Sequence, residues 1–448
     1  MKPNILYLHS HDTGRFIQPY GIPVETPNMM EFAREALVFR QMHCCAPTCS
    51  PSRAALLTGT LPHTSGMLGL SHRGFSLTDY SRHIVNWLKD KAGYSSALTG
   101  IQHITGNPSE IGYDTLQTDA SPNKVCFAAD TFINELKEPF FLSAGFALTH
   151  REFPEPALND DPRWCPPPPA MPDTPETRRD FACFRACVRD LDAAYGKILS
   201  SLRRSGREDN TIVIITTDHG IDFPRMKCTL YDHGTQVLFM MRGPLGLHGG
   251  KVCDALLSHI DVYPTLCDLL DIEKPDWLQG RSFLPVIRGN REEVNDSVFA
   301  QITYHATYEP TRSVRTKRWK YIRHFSTRTA KPMSNVDDMP CKDLWNSFGW
   351  NERGVPDEEL YDLVFDPHET DNRASDPDLQ AVLEDMREKL DKRMKETDDP
   401  LLKGPVPPPE GARVNPLDSD SPNDEAYTGF KPAGLSERKM GIKQEKQP

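Results

Sequence analysis

DNTIVIITTDHG, residues 209–220, holds a turn, a continuous β-branched apolar run and an abrupt polar end. A run with no polar alternation fits a strand covered on both faces, as in a parallel sheet. The same design recurs at Asn4-Ile5-Leu6-Tyr7-Leu8, stopped by His9-Ser10-His11-Asp12. It recurs again at Ser95–Thr99, ending on Gly100, and at Glu138–Ala144, which leads into Phe146–His150. Between these runs lie helical periodicities at 28–41 and 81–91, then a long amphipathic helix at 174–205 closed by Gly206, with the prolines 166–169 marking a loop before it. Strands alternating with helices predict an α/β fold with a large, mostly parallel sheet sandwiched by helices. Ligands of such sheets collect beyond the carboxyl ends of the strands, where His11-Asp12 and Asp218-His219 both fall.

The texture changes near residue 295. Short strand-like pieces at Arg318–Ile322 and Leu360–Leu363 and a charged helix at 377–396 predict a smaller C-terminal α+β subdomain. The expected organisation is therefore an α/β domain over 1–294, the subdomain over 295–397, and an extended or disordered tail over 398–448, where Pro, Asp, Glu and Gly dominate. The 448 residues are 38% hydrophobic and 26% charged, with a net charge of −11. That balance argues against nucleic acid as a partner and requires a local basic patch for any anionic ligand. No run is long enough to span a bilayer, and MKPNILYLHS enters a strand at once, so neither membrane nor signal peptide is expected. Eleven irregularly spaced cysteines point to reduced thiols and a cytoplasmic location, with Cys183 and Cys187 read as core packing.

A second stretch, CAPTCSPSRAALLTG at 45–59, reads as a helix start. Ser50 can cap, Pro51 suits the first helical position, 53–57 propagate, and Gly59 ends the helix. Cys49 then lies at the positive end of the helix dipole, with Arg53 on the same face. A thiolate or a bound oxyanion gains there, while the plain alternative is a buried structural cysteine beside a surface arginine. Two strand ends offering carboxylate and imidazole, together with this helix start, describe a divalent-metal site facing an oxyanion.

Cys49-Ser50-Pro51-Ser52-Arg53 resembles the C-x-P-x-R maturation motif of type I sulfatases, in the alkaline phosphatase superfamily. The resemblance extends over Asp12, Asp218-His219-Gly220, Lys227, SHIDVYPTLCDLL (258–270), LQGRSFLPVIRG (278–289) and ELYDLVFDPHE (359–369). It implies the alkaline phosphatase-like fold and conversion of Cys49 to formylglycine by a maturation enzyme, with the aldehyde hydrate as nucleophile. It also implies a Ca²⁺ ion, with Mg²⁺ or Mn²⁺ as alternatives, held by Asp12, Asp218, His219 and residue 49. Cys49, Arg53, His103, His150 and Lys227 become the expected catalytic set. Two positions depart from the family: His11 replaces an acid, as ligand or as a group behind the ligands, and Ile101 replaces the lysine of Gly-Lys-x-His. An imidazole in place of a carboxylate tilts the preference towards Mn²⁺ or Zn²⁺. Arg151, His63, His72 and His233 are expected at the pocket rim. The stretches at 62–77 and 218–235 resemble the heparan N-sulfatase branch, which implies a small sulfated saccharide such as N-sulfoglucosamine as substrate. An O-sulfatase, a phosphonate or phosphodiester hydrolase of the same fold, and a silent sugar-binding relative are the competing readings.

Overall fold

The computed structural model describes residues 2–156, 158–326 and 330–428. Its main sheet has eight strands: Asn4–His9 (β1), Leu37–Phe39 (β2), Ser95–Gly100 (β3), Thr115–Gln117 (β4), Phe140–Gly145 (β5), Thr211–Thr216 (β6), Phe239–Arg242 (β7) and Lys251–Cys253 (β8). They lie in the order β4-β3-β5-β1-β6-β7-β2-β8, and β7 alone runs antiparallel to both of its neighbours. β1 is central, paired in parallel with β5 and β6, so His9 lies level with Gly145 and Thr216.

The continuous apolar runs are explained by two cores. On β1, Leu6 and Leu8 enter one hydrophobic cluster while Ile5 and Tyr7 enter the other, and on β6 Val213 and Ile215 part from Ile212 and Ile214 in the same way. One face carries the helices Pro27–Glu35 (α1), Pro122–Glu135 (α2) and Pro175–Arg204 (α3). Thr174 caps α3 in a reciprocal capping box with Thr177. The expected helix over 28–41 stops at Glu35. Residues 37–39 form β2 instead, because a strand sends Val38 into one core and Leu37 and Phe39 into the other, burial that outweighs helical propensity.

Val298–Tyr304 (β9), Tyr308–Arg315 (β10), Trp319–His324 (β11) and Glu358–Asp362 (β12) make a four-stranded antiparallel sheet in chain order, packed by the helix Gln380–Glu396. Beyond it, residues 398–428 wrap back across the protein: Leu401, Val406, Ala412 and Val414 are buried, and Arg73 donates to the Asn415 side chain at 2.6 Å. Residues 429–448 of the expected tail lie outside the described residues. Among the described residues, no helix is long and apolar enough to cross a membrane, and all eleven cysteines are free thiols.

The tail is anchored by Asp399, which accepts from Arg312 Nε at 2.6 Å and Nη2 at 3.0 Å, both side chains fully buried. Asp399→Ala is expected to cost about 3–5 kcal/mol, because it strands a guanidinium in the core. Urea unfolding of the variant against the parent measures the loss.

Candidate metal and nucleophile site

The helix bearing the second motif runs from Cys49 to Thr58 and ends on Gly59 in the left-handed region, φ 68°. Its N-cap is Thr48, two residues earlier than the Ser50 cap that the sequence predicts. Thr48 does not cap through its side chain, which instead meets His305 Nδ1 at 2.7 Å, and Ser50 Oγ accepts from the Ser71 N–H. Cys49 is thus the first helical residue, only 2% exposed. Burial pushes its thiol well above the usual range, and the nearby Lys227 and Arg53 charges do not offset it.

Arg53, one turn on, is buried with fixed partners: Nη2 donates to the Ser10 carbonyl at 2.8 Å and to Asp218 Oδ2 at 2.9 Å, while Nη1 meets His9 Nδ1 at 2.7 Å. Asp218 Oδ1 accepts from the backbone N–H groups of Asp12 (2.8 Å) and His219 (2.9 Å), which locks the two strand ends together. Burial would raise the Asp218 carboxyl, but Arg53, His219 and His11 hold it well below the carboxylate range. Asp12 is held low in the same way, burial being outweighed by Lys227, His11 and His219. The turn after His219 requires glycine, since a Cβ on Gly220 would lie 2.0 Å from the His233 carbonyl. Asp12 (φ 53°) and His103 (φ 57°) both adopt the left-handed region, a conformation that non-glycine residues hold at a cost and that gathers at functional sites.

His11, Asp12, Cys49, Asp218 and His219 are all buried, and one potential ligand atom from each lies within 4.8 Å of every other. His219 Nδ1 is 3.0 Å from the Gly220 carbonyl, which can only accept, so Nδ1 carries the proton. In neutral imidazole, Nε2 then turns a lone pair towards Asp12 Oδ1 (3.3 Å), Asp218 Oδ2 (3.6 Å) and Cys49 Sγ (3.4 Å). Lone pairs converging in this way fit a divalent cation held by Asp12, Asp218, His219 and residue 49. His11 Nδ1 converges on the same oxygens, 2.7 Å from Asp12 Oδ1 and 3.4 Å from Asp218 Oδ2, so it serves as a further ligand in one tautomer and as a donor orienting Asp12 in the other.

From His11 a file of imidazoles leads to the surface: His11 Nε2 meets His103 Nδ1 at 3.3 Å, and His103 Nε2 meets the exposed His72 at 3.0 Å, with the His72 and His103 rings stacked. His150 lies edge-on to His11 and 3.4 Å from Lys227 Nζ. Lys227 donates to Asp12 Oδ2 at 2.8 Å. Arg53, His72, His103, His150 and Lys227 therefore surround the five clustered residues.

The other three expected rim residues have partners of their own. His63 is buried against Gln301, the Thr397 carbonyl and Asp399, an anchor for the tail. His233 stacks on His368 at 5.4 Å and also approaches Phe16. Arg151 forms a two-pronged pair with Asp180, both bonds 2.7 Å, beneath the rings of Phe153 and Phe223. His63 and His233 satisfy local neighbourhoods away from the cluster, while Arg151 borders it through Asp222, 3.2 Å from its Nε and 3.9 Å from Lys227 Nζ. Conversely, the sequence reading misses Asp337, whose Oδ2 accepts from Lys227 at 2.8 Å, and His9, which holds Arg53. Neither carries a local motif.

Comparison with known proteins matches residues 3–272 to the family described as Sulfatase and residues 222–353 to the family N-sulphoglucosamine sulphohydrolase, C-terminal. The chain is 29% identical to human N-sulphoglucosamine sulphohydrolase, over 90% of this chain and 92% of that protein. It is 25% identical to a Delta 4,5-hexuronate-2-O-sulfatase of Bacteroides thetaiotaomicron, over 87% and 88% of the two chains. Among solved structures it is similar in fold to a 2-O GAG sulfatase, with a TM-score of 0.72 at 23% identity, covering 90% and 94% of the two chains.

Proposed function

Because this chain belongs to the sulfatase family and is a sulfatase, we propose that its substrate is a small N-sulfated sugar, N-sulfoglucosamine or a related glycosaminoglycan fragment, and that residue 49 in its oxidised form is the nucleophile. The substrate assignment is carried by the match of residues 222–353 to the C-terminal family of N-sulphoglucosamine sulphohydrolase. That span holds Lys227 and Asp337, which pair at 2.8 Å beside Asp12.

The cation would be held by Asp12, Asp218, His219 and residue 49, and it would supply charge neutralisation for the sulfate oxygens. In the tautomer in which His11 Nδ1 donates to Asp12, the donor set is oxygen-rich, which favours Ca²⁺ or Mg²⁺ over Zn²⁺. The chain's own residues do the remainder. Arg53, fixed by three acceptors, presents its charge to the anion and keeps the residue 49 helix in register with Asp218. His150, with the buried Lys227 3.4 Å away, lies on the solvent side, where the departing sugar is held and protonated. His103, bonded at both ring nitrogens, is a route for protons between His11 and the exposed His72. The second reading, removal of an O-sulfate, is supported by the likeness to the 2-O-sulfatase.

The test uses protein coexpressed with a formylglycine-generating enzyme and measures sulfate release from N-sulfo-, 3-O-sulfo- and 6-O-sulfoglucosamine and from an aryl phosphonate. The N-sulfated sugar is expected to show the highest kcat/KM. Turnover confined to an O-sulfate or to the phosphonate would reject the assignment.

A further inference from the structure

Lys227 Nζ lies between two carboxylates, 2.8 Å from Asp12 Oδ2 and 2.8 Å from Asp337 Oδ2, with Asp222 Oδ2 further off at 3.9 Å. The three acids differ in access: the Asp12 and Asp222 side chains are 0% and 2% exposed, whereas Asp337 is 21% exposed. Asp12 is committed to the metal cluster and Asp222 to the pair with Arg151 at 3.2 Å. Asp337 is therefore the carboxylate of this group that an arriving ligand meets. It stands on the solvent side with His150, whose side chain is 36% exposed.

A carboxylate at that place is an odd choice for an enzyme that takes an anion. Against a sulfate ester it finds no donor on the bridging atom, an oxygen without a proton, and only a neutral hydroxyl on the departing alcohol. Against a sulfamate it offers a bond. The bridging atom is an N–H donor, and the amine that departs takes up a proton to become an ammonium. Lys227 neutralises part of the Asp337 charge and so lets the site tolerate the acid while sulfate is bound.

We propose that Asp337 accepts a hydrogen bond from the bridging N–H of an N-sulfated amino sugar, then pairs with the ammonium of the product, and so sets the preference for N-sulfate over O-sulfate. This rests on the substrate reading given above. A site that hydrogen-bonds a substrate N–H discriminates strongly against the analogue lacking it, because the partner is then left unpaired. The competing role for Asp337 is only to position Lys227, which would affect both substrate classes alike.

Asp337→Asn and the smaller Asp337→Ser, both coexpressed with the maturation enzyme and checked for a parent-like thermal transition, separate these roles. Hydrolysis of 4-nitrophenyl sulfate serves as reporter, with glucosamine and glucose as competitors. In the parent, glucosamine is expected to inhibit at about tenfold lower concentration than glucose, the size of one charge-assisted bond. In both variants that difference is expected to vanish. The ratio of kcat/KM on N-sulfoglucosamine to that on 6-O-sulfoglucosamine is expected to fall by about 100-fold. Equal inhibition by the two sugars in the parent, or a parallel loss on both substrates in the variants, overturns the proposal. If the parent releases no sulfate from N-sulfoglucosamine yet shows an amine preference that Asp337→Asn removes, the substrate reading fails while the role of Asp337 stands.

Discussion

Cys49→Ala is expected to abolish sulfate release, by on the order of 10⁴-fold or more, while the protein stays folded. The thiol makes one polar side-chain contact, with His219 Nε2 at 3.4 Å, and alanine suits the first turn of the helix, so the stability change is expected within about 1–2 kcal/mol. Cys49→Ser sharpens the result. Its hydroxyl restores a polar atom at the same point but gives the maturation chemistry no thiol to oxidise, so the loss is expected to match that of alanine. Retained turnover in the serine variant would mean that an ordinary hydroxyl or a water attacks sulfur. A parent that binds sulfated sugars but turns over no faster than Cys49→Ala would place this chain among silent relatives. Sulfate release and peptide mass spectrometry of residue 49, run on the same preparations, check all three.

The second large effect is expected at Asp218. One oxygen of its carboxylate accepts two backbone N–H groups, and the other faces Arg53 and the metal cluster. Asp218→Ala leaves two backbone donors without their acceptor and takes from the buried Arg53 guanidinium its carboxylate partner, at a cost of about 3–5 kcal/mol. Asp218→Asn retains a carbonyl oxygen for the backbone donors and should recover much of that stability, yet it removes the charge a cation requires. The expected outcome is a folded asparagine variant whose bound metal, measured by elemental analysis after dialysis, falls from about one equivalent to near zero, with activity lost alongside. An asparagine variant that keeps its ion would show that Asp218 serves mainly to hold Arg53 and the two strand ends.

The ease with which parts of this protein are read from sequence follows from where the information is local. β1 and β6 announce themselves because both faces are buried, so Ile5–Leu8 and Ile212–Ile215 contain no polar position. The groups at their ends, Asp12 and Asp218-His219, inherit that legibility, as does Cys49 through its helix start. β2 is hidden because Ala36–Phe39 continues the helical spacing of the residues before it, and only its slot between β7 and β8 makes it a strand. The hairpin of β9 and β10 has no tight Gly-rich turn to mark it. Asp337 is invisible for a different reason: its partner is 110 residues away, and nothing in the surrounding letters marks an acid for that meeting. His63 and His233 mislead in the opposite sense. A histidine among polar residues looks like a ligand, but each spends its ring on a contact inside the fold.

The near-complete enclosure of Cys49 sets an order of events in the life of the chain. A side chain 2% exposed, beneath His219 and behind the imidazole file, is out of reach of another macromolecule. Any enzyme that oxidises it must therefore act while the segment is still extended, as a nascent strand or an unfolded precursor. If the oxidised residue 49 is the nucleophile, as proposed above, folding and oxidation compete, and a molecule that folds first keeps an unmodified thiol. The specific activity of a preparation would accordingly report how that race ended during synthesis.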